Sequence, residues 1–159
     1  TDGSYDLYSA HYVVGVPTST ADISALGSQT GTYRLTGATF PTLTSSSGQL
    51  LAVATSPITG SLTVNFGMGS GYSYQLGNIA VGGNVFAMTG SGSISGAALV
   101  NGSNSVTGGS SASGSVAGFL FGSNASHAGL TYQILQSGNT ISGAAAFTQT
   151  SLAAGSYGI

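Results

Sequence analysis

The chain has 159 residues, about the size of one domain, and only Asp2, Asp6, Asp22 and Arg34 carry a strongly acidic or basic side chain. A single arginine cannot supply the clustered positive charge that attracts nucleic acid, so nucleic acid is excluded as an expected partner. The sequence has no cysteine, which excludes disulfides and thiolate metal sites. We expect no cofactor and no bound metal.

The apolar fraction is 41%, with 8 Tyr and 6 Phe, which predicts an ordered core in spite of the many Gly, Ser and Thr residues. No run approaches the roughly 18 apolar residues of a membrane helix, so membrane insertion is not expected. The sequence starts at Thr1 without an initiator methionine, so we expect that a signal segment has been removed or that the chain is a piece of a longer one. These features predict an extracellular or bacterial cell-surface location.

Short runs with a period of two dominate the chain between a predicted first tail, residues 1–9, and a predicted last tail, residues 149–159. The runs are rich in β-branched and aromatic residues and recur about every 8 to 15 residues, with Gly, Ser or Pro between them. This spacing predicts an all-β protein, a single antiparallel barrel of about eight strands over residues 10–148. In chain order the runs are AHYVVGV (10–16), GTYRLTGATF (31–40), GQLLAVAT (48–55), GSLTVNFG (60–67), YSYQLGNIAV (72–81), NVFAMTGSGSISGAALV (84–100), SGSVAGFLFG (113–122), LTYQIL (130–135) and NTISGAAAF (139–147).

Alternation within a run predicts which side chains face the core. Leu62, Val64 and Phe66 share one face of their run, and we expect that face to be buried. In residues 113–122 both faces are apolar, which predicts either a cover over the outside of that strand or an exposed adhesive patch.

Small residues mark two further features. The pentapeptide ISGAA occurs at 94–98 and again at 141–145, which predicts tight curvature or close strand packing at matching places on two strands. Residues 45–48 read as a linker, and residues 101–115, rich in Ser and Gly, as a long mobile loop.

One stretch carries a family resemblance. Residues 118–122 read GFLFG, residues 124–128 read NASHA and residues 129–132 read GLTY. This order resembles the motif near the end of the transferrin-binding protein B type of β-barrel, in which a G-F-F-G-x-x-A-x-x-x-G-G-x-(F/Y) stretch joins two of the last strands. Residues 11–18, 31–39 and 60–67 are similar to the C-terminal barrel domains of some FecR-domain proteins of Gram-negative bacteria. The resemblance covers roughly residues 10–148 and implies a surface barrel that binds a host protein or a small ligand such as haem. The residues matching the turn motif are Gly118, Phe119, Phe121, Gly122, Asn124, Ala125 and Gly129.

The same stretch can be interpreted without the family. Glycines at 118 and 122 relieve crowding and permit a positive φ where a strand ends. Ser123 or Asn124 is placed to cap one helical turn running through Ala128, after which Gly129 releases the chain into the next strand. His127 then lies on a short turn and points away from the lumen, so we expect a surface histidine rather than a ligand.

Residues for catalysis or metal binding are few. The candidate metal ligands are His11, His127, Asp2, Asp6 and Asp22, and a Ca²⁺ site built on the first two aspartates would lack acidic ligand density. No G-x-S-x-G elbow precedes a helix, and no pair of acids lies on facing strands. We expect no enzymatic activity.

Two further predictions concern the ionisable side chains of Arg34 and the histidines. We expect Arg34 to face outward, and the alternative pairs it with Asp22 or Asp6, the available counter-charges. With so few titrating groups, stability should depend little on pH between about 5 and 9, unless His11 or His127 is buried or coupled to another group.

Two functions remain after these exclusions. The first is a self-assembling subunit of an extracellular or cell-surface filament or matrix, a homopolymer, because an uncharged surface with two-sided apolar strands lacks the usual barriers to association. The second is the monomeric binding barrel that the resemblance implies. For the first, we expect the two tails to mediate assembly through apolar side chains, namely Tyr5, Leu7, Tyr8, Leu152, Tyr157 and Ile159.

Overall fold

A computed structural model describes residues 10–154, and within that range the protein is built from ten strands, one short α-helix and one 3-10 turn. In chain order these are α1 (Thr20–Ala25), β1 (Gln29–Ala38), β2 (Thr42–Thr44), β3 (Leu50–Val53), β4 (Thr59–Asn65), β5 (Gly71–Val81), β6 (Asn84–Ser95), β7 (Ala98–Thr107), β8 (Ser113–Phe121), the 3-10 turn (Ser123–Ala125), β9 (His127–Gln136) and β10 (Asn139–Ala154).

The strands form a closed antiparallel barrel of eight strands plus two extra strands, which confirms the predicted fold class. The barrel runs β1-β4-β5-β6-β7-β8-β9-β10 and closes because β1 pairs with β10 as well as with β4. Tyr33, for example, lies opposite Leu62 on one side and Gln149 on the other. The β2–β3 hairpin continues the sheet from β10, beside Ile141.

The inward side chains fill the lumen. Leu62, Val64 and Phe66 are 1%, 0% and 8% exposed, which confirms the predicted buried face of β4. Aromatic rings occupy much of the remaining interior, as a barrel of this size needs side chains to fill it. The largest fully buried residues are Tyr132, Phe86, Phe147, Leu62, Leu76, Ile79, Met88, Leu120, Leu130, Ile134, Ile141 and Val64.

Two tyrosine rings lie flat over glycines of an adjacent strand. A Cβ atom at Gly143 would lie 2.7 Å from Cε1 of Tyr132, and one at Gly90 would lie 2.8 Å from Cε1 of Tyr74. These glycines therefore make room for a ring rather than for a turn, which is the close approach that glycine permits inside a strand.

The first predicted strand is wrong. Residues 10–16 form an extended segment outside the barrel ladder, and its β-pairing is a single bridge between Pro17 and Phe121. The period of two arises because one side of the segment rests on the barrel while Tyr12, Val14 and Val16 face outward, 73%, 78% and 80% exposed. A segment lying on a surface produces the same alternation as a half-buried strand.

The predicted mobile loop at 101–115 is also wrong for most of its length. β7 continues to Thr107 and β8 begins at Ser113. Pairing between β7 and β8 is confined to the end of the seam near Leu99, and farther along Oδ1 of Asn101 accepts a hydrogen bond from the Val116 amide at 3.0 Å. A side chain thus replaces part of the ladder, which is why polar, turn-like residues occur inside β7.

Two further predictions differ from the structure. Residues 149–154, predicted as part of the last tail, extend β10 and pair with β1, with Leu152 opposite Gly31. The first ISGAA copy includes the β6–β7 turn, with Gly96 at φ 58°, and the second lies inside β10, so the two copies are not structurally equivalent. Residues 1–9 and 155–159 lie outside the described residues.

Candidate binding surface

Residues 10–17, called the strap below, lie across the outer face of the barrel over β8, β9 and β10. A Cβ atom at Gly129 of β9 would lie 2.9 Å from Cβ of Val13, and one at Gly15 would lie 2.7 Å from Cδ2 of Phe121. The strap therefore supplies the cover that the two-sided apolar pattern of residues 113–122 predicted.

The C-terminal end of the strap is fixed by backbone hydrogen bonds. The Thr18 amide donates to the Leu120 carbonyl at 3.0 Å, and the Gly122 amide donates to the Val16 carbonyl at 3.1 Å. The Thr18 hydroxyl donates to the Gly122 carbonyl at 2.8 Å, which satisfies a side chain that is only 5% exposed. After this anchor, Ser19 caps α1 by accepting the Asp22 amide at 3.1 Å.

His11 holds the other end of the strap. Its Nδ1 lies 2.6 Å from Oγ1 of Thr39, and its Nε2 lies 2.8 Å from Oγ1 of Thr42. A neutral imidazole has one donor and one acceptor nitrogen, so one hydroxyl donates to the ring and the other accepts from it. Burial lowers the pKa of His11 below its ordinary value, which favours this neutral form.

The floor of the groove under the strap is made of small residues. Gly129, Ala144 and Ala146 face outward there, and Val13 of the strap covers Gly129. The rings of Phe119 and Phe121 lie beside this floor, with centroids 5.3 Å apart. We define the strap groove as the surface formed by these five residues.

Open depressions flank the strap. One, of about 370 Å³, is lined by His11 and by outward residues of three strands. A second, of about 330 Å³, lies beside Tyr12, Val13 and Phe119. The first offers hydroxyls, an amide and an imidazole, and no charged side chain, so its chemistry suits neutral hydrogen-bonding groups. Its outward polar residues are Ser115, Thr131, Gln133 and Ser142.

The predicted turn motif is placed differently from expectation. The helical turn ends at Ala125 rather than at Ala128, and it has no side-chain cap because Gly122 occupies the N-cap position. Gly122 has φ 79°, which confirms the predicted positive φ, and Asn124 adopts a left-handed conformation with φ 55°. The Ala125 carbonyl accepts a hydrogen bond from the Tyr33 hydroxyl at 2.6 Å, which ties the turn to β1.

Two glycines of the motif have packing roles within strands. Gly118 lies inside β8, where a Cβ atom would be 2.7 Å from Cδ2 of Leu130. Gly129 is the third residue of β9, and it is small because the strap crosses it. The prediction that Gly129 releases the chain into a new strand is therefore wrong, since β9 begins at His127.

His127 is exposed, as the sequence predicted. Its ring stacks on Phe121 with the centroids 5.4 Å apart, and its Nδ1 lies 3.0 Å from Oγ of Ser126. Arg34 is exposed too, on the outer face of β1 opposite Ser61 and Thr148. Within residues 10–154 no three His, Cys, Asp or Glu side chains gather into a possible metal site.

The predicted assembly residues are mostly outside the structure. Leu152 is 36% exposed on β10, and the other five, Tyr5, Leu7, Tyr8, Tyr157 and Ile159, lie outside the described residues. Sequence reasoning missed the roles of Thr39, Thr42 and Val13 in seating the strap. The relevant feature of the sequence was the pair of apolar faces of residues 113–122. It predicted that something covers the outside of this strand, but not which segment of the chain does so.

A second apolar surface lies at the free edge of β3. β3 ends the sheet order and hydrogen-bonds to β2 alone among the described strands. Its side chains alternate, with Leu51 and Val53 each 50% exposed. The sequence carries no charged side chain after Arg34, so β3 and the adjoining strands β2 and β10 carry none of the charges that commonly protect a sheet edge.

None of the helices formed by residues 10–154 has the length and apolar character needed to cross a membrane. Comparison of the chain with models of known protein families, with curated protein sequences and with solved structures found no match, so the resemblance to transferrin-binding protein B barrels stays a prediction.

Proposed function

We propose that this barrel is a non-enzymatic, exported structural subunit that associates with copies of itself on a cell surface or in an extracellular matrix. The observation that carries the proposal is the free edge of β3. Among the described strands, β3 pairs on one side only, its outward side chains Leu51 and Val53 are apolar, and neither β3 nor its neighbour β2 carries a charged side chain. An exposed sheet edge without a charge or a proline offers unpaired backbone groups on which a strand of another chain can pair.

The packed lumen supports the same function. The interior positions that hold ligands in other barrels are occupied here by side chains such as Phe86, Tyr132 and Phe147, each 1% exposed or less. The outer surface is therefore where this protein meets its partners. That surface combines neutral polar strands with the exposed apolar rows of β3 and of the strap, a composition that favours association over repulsion.

Substitution of Val53 by Lys tests the proposal. In a symmetric edge contact both copies lose an apolar side chain and gain a charge, so we expect the concentration at half-association to rise by about tenfold or more. Sedimentation velocity across a concentration series, with negative-stain microscopy of the same samples, measures the change. Ser73→Lys is the matched control, because Ser73 is exposed on β5, a strand paired on both sides.

If the unaltered protein sediments as a monomer at every concentration, self-association is refuted. If Val53→Lys and Ser73→Lys weaken association equally, added charge alone explains the effect and β3 is not the contact.

The second candidate function is a monomeric surface barrel that binds a host protein or a small ligand such as haem. The observation that favours it is the depression of about 370 Å³ beside His11, lined by neutral hydrogen-bonding groups. Haem needs an axial ligand, and both ring nitrogens of His11 are engaged by threonine hydroxyls, so binding there would require the strap to move. A haem titration of the monomer followed by absorbance distinguishes this function from self-association.

A further inference from the structure

We propose that the strap is exchanged between subunits: in the assembled protein, residues 10–17 of one copy occupy the strap groove of a neighbouring copy. This inference rests on the proposed self-association and identifies the segment and the surface that connect successive subunits. It concerns a contact separate from the β3 edge.

The strap is held in a way that permits release. Its backbone hydrogen bonds to the barrel lie at its C-terminal end, at Val16 and Thr18. Before that point the contacts that seat it are side-chain contacts, namely those of His11 with two threonines and of Val13 with Gly129. The barrel itself closes through the β1–β10 pairing, so removal of the strap breaks no rung of the barrel ladder. Segments with few backbone hydrogen bonds open locally at lower cost than core strands.

A groove without its strap would be an apolar depression. The outward face of Gly129 would become exposed, together with more of the Phe119 and Phe121 rings. The surface that fits this groove is already known from the structure, because the strap of the same chain occupies it. Every contact made within one copy is equally available between two copies, which is the basis of segment exchange in oligomers.

Pro17 marks the natural boundary of the exchanged segment. Thr18 stays with its own barrel through its two hydrogen bonds to the β8 end, and Leu26, 5% exposed, fixes the chain after α1. The residues before Pro17 would swing outward. An extended segment of about eight residues is roughly 25 Å long, and all of it fills the acceptor groove, so exchange requires two barrels in direct contact near Gly122.

Exchange of this kind is directional. The donor end of one copy and the acceptor groove of the next are different surfaces, so the contact is heterologous and each copy can both give and receive a strap. Repetition then produces a chain of subunits or a ring. A reciprocal exchange between two copies would instead close as a dimer.

A disulfide across the strap and its groove tests the inference. The natural chain has no cysteine, so the double variant Val13→Cys, Gly129→Cys contains the only two thiols. Their Cβ atoms would lie 2.9 Å apart, and a disulfide places them at about 3.5–4.5 Å, so a small outward shift of the strap suffices. The control is Ser73→Cys, Ser91→Cys, a directly opposed pair on β5 and β6 that must cross-link within one barrel.

Both double variants are oxidised mildly in the assembled state and run on a denaturing gel without reductant. Strap exchange predicts covalent dimers and higher multiples for the 13–129 pair, and cross-linked monomers for the 73–91 pair. If the protein assembles and the 13–129 pair yields cross-linked monomers only, strap exchange is refuted while self-association stands. If the protein does not assemble at all, both proposals fail.

A second pair of variants covers the case in which the cysteine substitutions prevent assembly. Val13→Ser removes the side chain seated on Gly129, whereas Val14→Ser changes its outward-facing neighbour. Because the Val13 contact is lost equally in the closed and in the exchanged form, exchange predicts a kinetic effect: Val13→Ser speeds the mixing of labelled with unlabelled assembled subunits several-fold and leaves the far-ultraviolet circular dichroism of the barrel unchanged, and Val14→Ser has little effect on either. Equal effects of the two variants would overturn the inference.

Discussion

Substitution of Tyr132 by Phe should stabilise this protein. The Tyr132 hydroxyl is buried, has no hydrogen-bond partner among the described residues, and lies over Gly143, where a Cβ atom would clash with the ring. A buried polar group left unsatisfied costs about 1–3 kcal/mol, whereas the rest of the ring is fully buried apolar surface that phenylalanine retains. We expect the free energy of unfolding to rise by about 1 kcal/mol, which corresponds to a midpoint shift of about 2–4 °C in a domain of this size.

Tyr33→Phe provides the matched control. The chemical change is the same, but the Tyr33 hydroxyl donates to the Ala125 carbonyl at 2.6 Å and the residue is 2% exposed. Its loss should lower the free energy of unfolding by about 1 kcal/mol. Urea denaturation of the three proteins, compared at constant m-value, gives the two differences. If Tyr132→Phe destabilises as much as Tyr33→Phe, the hydroxyl of Tyr132 has a partner, such as a buried water, and the reasoning is refuted.

Two further predictions concern the strap and a turn. Because burial lowers the pKa of His11 in the folded state, the stability linked to it is fully present above the ordinary histidine pKa of about 6.5 and is lost as pH falls below that value. Hydrogen exchange of the strap amides should therefore speed up, relative to barrel amides, between about pH 7 and 5. Ser137→Asn should raise the free energy of unfolding by about 0.5 kcal/mol, because Ser137 and Gly138 have φ 51° and 82°, the type I′ pattern for which Asn-Gly is preferred.

A control variant tests each of these two predictions. Among residues 10–154, the groups that face His11 are the hydroxyls of Thr39 and Thr42 and the polar residues of β8, β9 and β10 in the adjoining depression, with no charged side chain among them. Acid-dependent exchange should accordingly disappear in His11→Phe, and its persistence there would assign the effect to another group. For the turn, Ser137→Ala should lower the unfolding midpoint in the same thermal scan, and a gain from Ala equal to that from Asn would contradict the turn argument.

The position of His11 bears on one expectation drawn from composition, which stays a prediction. Counting titratable residues predicted little dependence of stability on pH between about 5 and 9, with burial of a histidine as the exception. His11 is such a histidine, because it is half-buried between two threonines, whereas His127 is exposed. Counting could not distinguish the two histidines, because burial depends on contacts formed 28 and 31 residues away along the chain.

The barrel itself was predictable because its signal is local. Leu62, Val64 and Phe66 alternate with polar residues at neighbouring positions of the sequence. Along most of the chain, each strand also pairs with the next one in sequence. Long-range placement was not predictable in the same way. The strap alternates like a strand, yet its partners are surface atoms of β8 to β10, and its anchor joins Thr18 to Gly122 across 104 residues. The polar sequence of the β7–β8 seam predicts a loop, whereas the Asn101 side chain hydrogen-bonds across the seam in place of a backbone pair.

The strap explains why the outer face of β8 is apolar. On β5 the outward residues Ser73 and Gln75 are polar, as solvent requires, whereas on β8 Phe119 and Phe121 face outward. A barrel that closes through β1 and β10 gains no ladder hydrogen bond from covering these rings, so the cover is not needed to complete the sheet. Burying apolar surface stabilises at about 25 cal/mol per Å², and that gain is the same whether the covering strap comes from the same copy or from another. A cover that completes no part of the sheet, over an apolar groove on an otherwise closed barrel, is the feature on which the proposed strap exchange rests.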